Sequence, residues 1–315
     1  VRFSAWMDPG NPASLASFEA HAGLLGRVYP LYYLAAPGGG VQRRPDAGAE
    51  LRERVRAAAK AAGCEVWPLI GNQALPGGAF DPGLLAGMLG DGGARRAHIE
   101  ALLALVKADG AAGADLDYEA LPASLKDGFS AFVAEAAQAF HREGLKLGAA
   151  LHAKSAEPGC WDGACSHDYA ALGAVCDRVQ VMGYDFHWAE GEAGAVSPPR
   201  WCGEVLDHAL KTIPARALEW GMPLYGYAWA GGPRAETLHW ANWCALLDAH
   251  RPERRDPETG ELRLQAAGIE AWMNDSLSVS AKLWEARRRG VEEGVFWVLG
   301  AEDPRLWALL ETLPD

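Results

Sequence analysis

The stretch Gly113-Ala114-Asp115-Leu116-Asp117-Tyr118-Glu119 reads as a strand in which every second side chain is acidic. Successive side chains on a strand point to opposite faces. Asp115, Asp117 and Glu119 therefore share one face, spaced roughly 6.6 Å per two residues. If the strand belongs to a barrel, that face is the interior. Three like charges in a confined space do not all ionise cheaply, so their titrations couple and at least one carboxyl keeps its proton near neutral pH. A carboxyl held in that state is a general acid. Two other readings of the spacing stay open at this point. One is an exposed edge strand with solvated carboxylates. The other is a hard-cation site, though no calcium-type loop supplies further oxygen ligands nearby.

Working outward, an apolar strand expected over 112–118 lies between two amphipathic helices, 94–109 and 125–143. The first puts Ile99, Leu102, Leu103 and Val106 on one face, and Gly144 ends the second. The same alternation runs along the chain. Strands are expected over 1–6, 27–34, 65–70, 112–118, 145–152, 178–184, 218–225 and 294–299. Helices are expected over 50–62, 94–109, 125–143, 167–174, 201–212, 281–289 and 305–313. Eight strands mostly separated by helices predict an α/β fold, a parallel (β/α)8 TIM barrel forming a single catalytic domain over 1–315. A doubly wound open sheet is the alternative, but GxGxxG is missing after the first strand. The segment 228–274 is too long for a plain loop. With a β-like pair at 262–265 and 269–273, it is expected to be an insertion between strands seven and eight that walls a cleft.

Composition narrows the partners. The 315 residues carry 29 Lys+Arg against 41 Asp+Glu, a formal net charge of −12. That balance argues against nucleic acid or an anionic membrane surface as the main partner. No apolar run approaches the ~20 residues of a membrane-spanning helix, so no membrane insertion is expected. With half the residues hydrophobic, the chain is globular. Thirteen Trp suit either ring-shaped ligands such as sugars or ordinary packing. Among six Cys there is no CxxC and no zinc spacing. Cys160 and Cys165 bracket a short loop and could close a disulfide. Cys64 and Cys176 read as small buried hydrophobes.

A barrel carries its active site at the C-terminal ends of its strands. Strand six ends in Met182-Gly183-Tyr184-Asp185-Phe186-His187-Trp188. Tyr184 offers a hydroxyl, Asp185 a carboxylate, and His187 either a base or a structural imidazole. Strand seven ends in Pro223-Leu224-Tyr225-Gly226-Tyr227. Strand eight ends in Phe296-Trp297, followed by Gly300-Ala301-Glu302-Asp303. Each aromatic could pack or bind. There is no GxSxG, P-loop or HExxH.

Together these strand ends resemble glycoside hydrolase family 18, the chitinase-like barrels, over nearly the whole chain from Trp6 to Asp303. Asp115, Asp117 and Glu119 match the last three acidic positions of the family's DxxDxDxE, and Ala112 stands where its first Asp belongs. Gly183 stands where a hydroxyl residue is common. Met182 to Trp188, Met222 to Tyr227 and Gly300 to Asp303 look like the bacterial spore-germination and cortex-lytic branch. The resemblance implies substrate-assisted, retaining hydrolysis of GlcNAc-containing polysaccharide or oligosaccharide, peptidoglycan or chitin-like. Glu119 would be the acid. Asp117 would orient the substrate's acetamido group, with Asp115 behind it, and Tyr184 would hydrogen-bond the acetamido oxygen. Asp185, Trp297, Met182, Tyr225, Trp6 and Trp188 would line the substrate site, and Trp229, Trp240 and Trp272 are further stacking candidates. No metal or organic cofactor is implied, a monomer suffices, and a secreted or cell-envelope location is expected because such glycans mostly lie outside the bacterial cytoplasm. Two alternatives accompany this reading. A catalytically silent sugar-binding barrel is disfavoured by the presence of Glu119. An endo-acting enzyme on N-linked glycans would use the same residues in a different cleft.

Overall fold

A computed structural model describes residues 3–74, 78–250 and 253–313. Eight parallel strands close into a barrel: β1 (Phe3–Met7), β2 (Leu25–Ala36), β3 (Leu69–Gly71), β4 (Gly113–Asp117), β5 (Lys146–His152), β6 (Arg178–Met182), β7 (Leu218–Pro223) and β8 (Glu293–Trp297). They pair in chain order, and β1 closes the ring by pairing with both β2 and β8. This is the expected (β/α)8 barrel. The start of the first expected strand, at 1–2, lies outside the described residues.

The departures have local causes. The third expected strand is split, because Pro68 has no N–H to give the ladder. Glu65–Val66 and Leu69–Gly71 pair with β2 separately. Strand β2 runs on to Ala36 and turns back through Gly40–Arg43, an antiparallel hairpin not anticipated from the sequence. The last helix before β8 starts at Ser276, ahead of the expected 281. Asp275 caps it, accepting from Ser278 N–H in a reciprocal capping box. Four helices, Pro12–His21, Gly83–Gly90, Asp162–Cys165 and Trp240–Ala249, were not expected. In the first two the apolar residues are spaced too evenly to show an amphipathic period.

Between β7 and β8 lies a five-stranded antiparallel sheet: Gly226–Trp229, Glu236–Leu238, Arg254–Arg255, Leu262–Ala266 and Ile269–Met273. The helix Trp240–Ala249 packs on it around buried Trp243, Leu264 and Met273. The sheet starts at Gly226, where a Cβ would collide with the Trp272 carbonyl. Glu261 ties this unit to the barrel. Its carboxylate accepts from Val196 and Ser197 N–H, both at 2.8 Å, and pairs with Lys282 Nζ at 3.2 Å, both side chains fully buried. Among the described residues no helix is long and apolar enough to cross a membrane.

Candidate active site

Strand β4 works on two faces. Leu116 and Tyr118 point outward, and Tyr118 stacks on Phe132 of the helix Lys126–Arg142. Asp115 and Asp117 point inward and are buried, and Glu119 follows two residues past the strand end. Neither Asp115 oxygen accepts a hydrogen bond. Its carboxyl is pushed well above the ordinary range by burial, then by Glu219 and Asp117, with Trp6 and Arg27 opposing. Gly148, its neighbour on β5, leaves it room, because a Cβ there would strike Asp115 Oδ1. Asp117 rises to about 7, chiefly through burial, with a hydrogen bond to Glu119 pulling the other way. Glu119 is also raised well above the ordinary range, through burial and then the Asp117 charge and hydrogen bond, with Asp185 adding to it. Crowded together, the two carboxyls resist ionising at once, which favours the protonated state required of an acid.

Below Asp115 the barrel is polar. Glu219 on β7, fully buried, accepts from Ser4 Oγ (3.0 Å), Tyr29 OH (2.7 Å) and Gln180 Nε2 (3.1 Å) and pairs with Arg27. This network was not picked out from the sequence. The signals were an acid inside the apolar run Leu218–Pro223 and an arginine near the start of β2. Asn72, just past β3, was also missed. Its Oδ1 accepts from Glu119 N–H at 2.8 Å and its Nδ2 donates to Glu119 C=O at 2.9 Å, so one buried amide fixes the backbone of the acid.

Across the barrel, Trp6 packs edge-on to Trp297 (5.8 Å between ring centres) and to Tyr184 (6.5 Å). Trp6, Met182 and Tyr225 are almost wholly buried, beneath the surface rather than on it. Trp297 and Tyr184 are partly open, and the Trp297–Val298 peptide bond is cis. Asp185 has a left-handed backbone (φ 61°), which swings its carboxylate onto Tyr225 OH and Tyr227 OH (2.9 Å to the latter). Asp185 is exposed as a residue. Protein crowds its carboxyl and raises it, against which the two tyrosine hydroxyls act. Trp188 is half exposed on the β6 loop. Trp240 and Trp272 each have an arginine over the ring, Arg305 and Arg263, and Trp229 donates its indole N–H to Gly191 C=O. His187 faces Glu192 C=O through Nδ1 and packs on Phe186, away from the carboxylates. Gly183 lies against the Trp220 ring, which occupies the place any side chain at 183 would need. Cys160 and Cys165 form a disulfide, and Cys64 and Cys176 are buried. Among the described residues no three His, Cys, Asp or Glu side chains group as a metal site.

A model of the family described as glycosyl hydrolases family 18 matches residues 46–289. The cortical fragment-lytic enzyme of Bacillus subtilis (strain 168) is 31% identical over 210 residues, 62% of this chain and 48% of that protein, so the match spans about half the relative's length. The fold superposes on a class V chitinase from Pseudomonas fluorescens Pf-5 with a TM-score of 0.89 at 25% identity, covering 99% of both chains. It superposes on the Bacillus cereus spore cortex-lytic enzyme SleL with a TM-score of 0.87 at 21% identity, covering 99% of this chain and 74% of the other.

Proposed function

Because this chain belongs to glycosyl hydrolase family 18, we propose that it hydrolyses β-linked N-acetylglucosamine glycans, peptidoglycan or chitin-like, with retention at the anomeric carbon. Glu119 donates its proton to the glycosidic oxygen. The acetamido carbonyl oxygen of the substrate attacks the anomeric carbon as that bond breaks, giving an oxazolinium ion. Asp117 orients the acetamido N–H and stabilises the positive charge, and Asp115 stands behind it. Tyr184 donates to the acetamido oxygen. The Glu119 carboxylate then takes a proton from the water that opens the ring. Trp297 floors the sugar at the cleavage point, Asp185 binds its hydroxyls, and Trp188 and the sheet between β7 and β8 wall the cleft. A monomer suffices, acting in a secreted or cell-envelope setting.

The observation that carries this reading is the Asp117–Glu119 pair, buried at a strand end with both carboxyls raised. A nucleophile supplied by the substrate needs one protein acid, rather than the two separately ionised carboxyls of the commoner glycosidase route. The B. subtilis relative favours cortex fragments as substrate. The test is mass spectrometry of products from chitin oligomers and peptidoglycan, offered in parallel to wild type and Glu119→Gln. Cleavage of one substrate by wild type, abolished in the variant, is expected. Near-normal turnover by Glu119→Gln would refute the assignment of the acid.

A further inference from the structure

Three imidazoles surround the segment that carries the acid, and none takes part in the steps assigned to Glu119, Asp117 and Tyr184. His98, on the helix Gly92–Ala108, faces Gly39 C=O through Nδ1 at 2.7 Å and the Tyr118 hydroxyl through Nε2 at 2.5 Å. His167 Nε2 faces Tyr118 C=O at 3.0 Å. His152, the last residue of β5, accepts from Ala120 N–H at 3.4 Å through Nε2. Both chain neighbours of Glu119 therefore rest on histidines. Ala120 needs the support, because its backbone is left-handed (φ 56°), a region an alanine keeps only where its surroundings hold it. His152 also reaches the carboxyl itself: Nε2 lies 3.5 Å from Glu119 Oε2.

The partners fix which ring atoms carry protons. An Nε2 that accepts from an N–H has no proton of its own, so His152 is neutral with its proton on Nδ1. His167 Nδ1 accepts from the His152 backbone N–H at 3.0 Å, which leaves the His167 proton on Nε2, aimed at the Tyr118 carbonyl. The two rings stack nearly parallel at 5.0 Å. Burial, and then His167, hold His152 well below the ordinary imidazole range. The cation of this region, Lys154, is engaged by Glu157 (2.6 Å) and by the carbonyls of Ala164 (3.3 Å) and His167 (2.6 Å). Trp161 covers the outer side of the His152 ring at 4.5 Å between centres, and Tyr169 OH donates to the His152 carbonyl at 2.7 Å. A lone pair, not an N–H, is therefore what His152 presents to Glu119. Such a lone pair attracts an O–H and repels a carboxylate oxygen.

We propose that His152 is a positioning residue for the acid: its Nε2 lone pair keeps the proton on Glu119 Oε2 between turnovers and disfavours the bare carboxylate. The proposal rests on the reading of Glu119 as the acid. The other groups facing that carboxyl are Asp117 on β4 and, past the end of β6, Tyr184 and Asp185, while Asn72 past β3 holds the backbone. The two aspartates oppose ionisation through charge, whichever oxygen bears the proton. His152 acts on one oxygen and so selects where the proton sits. When Glu119 gives that proton to the glycosidic oxygen, the carboxylate left behind faces the lone pair. It is relieved when the carboxylate takes a proton from the attacking water. The imidazole gains and loses none.

The test follows the isotope-labelled carboxyl carbon of Glu119 by NMR across pH in the free enzyme, the signal being assigned by its loss in Glu119→Gln. In His152→Ala the upper midpoint of the coupled Asp117–Glu119 titration is expected to fall by about 0.7 pH unit, the equivalent of one ordinary hydrogen bond. His152→Gln, whose side-chain oxygen can take the place of Nε2, is expected to restore most of it. The alkaline limb of kcat/KM on chitotetraose or a peptidoglycan fragment should move with the NMR midpoint. A purely structural role would lower the plateau of that profile and the Tm and leave the midpoint in place. An unmoved or raised midpoint in His152→Ala overturns the proposal. If that variant does not fold, His152→Asn, which withdraws the acceptor at the Nε2 position, makes the same comparison. Near-normal turnover by Glu119→Gln, beside a midpoint that does fall in His152→Ala, would place the failure in the assignment of the acid and overturn the proposal through it.

Discussion

Asn72→Ala tests whether the acid is positioned by its backbone. The buried amide makes two hydrogen bonds to Glu119, at 2.8 and 2.9 Å. Each contributes about 1 kcal/mol net where water can replace the lost partner. The variant should therefore lose about 2 kcal/mol. For 315 residues, an unfolding entropy of about 2 cal/mol/K per residue converts that into a fall in Tm of about 3 °C. The catalytic effect should be larger than the stability effect. A displacement of the acid by about 1 Å costs on the order of 100-fold in rate, because proton transfer demands alignment. The loss should appear in kcat with little change in KM, since Asn72 touches the acid and not the sugar. Asn72→Asp keeps the acceptor for Glu119 N–H but sets a buried carboxyl oxygen against the Glu119 carbonyl, so its Tm should fall at least as far as that of Asn72→Ala. Calorimetry and steady-state kinetics on the cleaved glycan check both numbers. A variant with wild-type Tm and kcat would show that the two hydrogen bonds do not hold the acid.

Two further outcomes are expected. Burial and then the Asp117 charge raise Glu119 well above the ordinary carboxyl range, and burial raises Asp117 to about 7. The acid form therefore persists past the pH at which an ordinary Glu ionises, and the alkaline limb of kcat/KM should be displaced upward accordingly. An alkaline limb at pH 4–5, where an ordinary Glu ionises, would contradict the crowding described. Lys282→Met leaves Glu261 buried without its cation and should cost roughly 3–5 kcal/mol. Urea unfolding would read this as a lower midpoint at similar slope, and a midpoint unmoved from wild type would argue that the pair is not structural.

How much of this was legible in the sequence depended on range. The inward face of β4 follows from the two-residue period alone, so Asp115, Asp117 and Glu119 could be grouped from five residues of text. The strand-end rule put Tyr184, Asp185 and Trp297 among the candidates, and the resemblance to the family was needed to give them roles. Asn72, Glu219 and Arg27 were not legible, because each acts through a partner far along the chain: Asn72 through Glu119, and Glu219 through Tyr29. No periodicity encodes that. Trp6 shows what a strand-end position leaves out: the residue lies where the site is expected, and the barrel wall covers it to 1% exposure, which its place in the sequence does not reveal. The split of the third strand was readable in principle from Pro68. The start of the helix at Ser276 was readable from Asp275 and Ser278, a capping pair hidden by the polar run around it.

Gly183 and Trp220 carry a consequence for how this barrel can change. The indole of Trp220, fully buried on β7, fills the volume beside Gly183. The backbone of Gly183 is not in the left-handed region, so only steric exclusion keeps a side chain out. A hydroxyl-bearing residue introduced at 183 by itself collides with the ring. The order of steps is therefore constrained. Position 220 must shrink first, and that intermediate carries an unfilled cavity of the kind that costs roughly 3–5 kcal/mol when a buried Trp is truncated. The two arrangements are separate local solutions divided by a valley in stability. A hydroxyl residue at 183 is therefore expected to be tolerated only together with a smaller residue at 220.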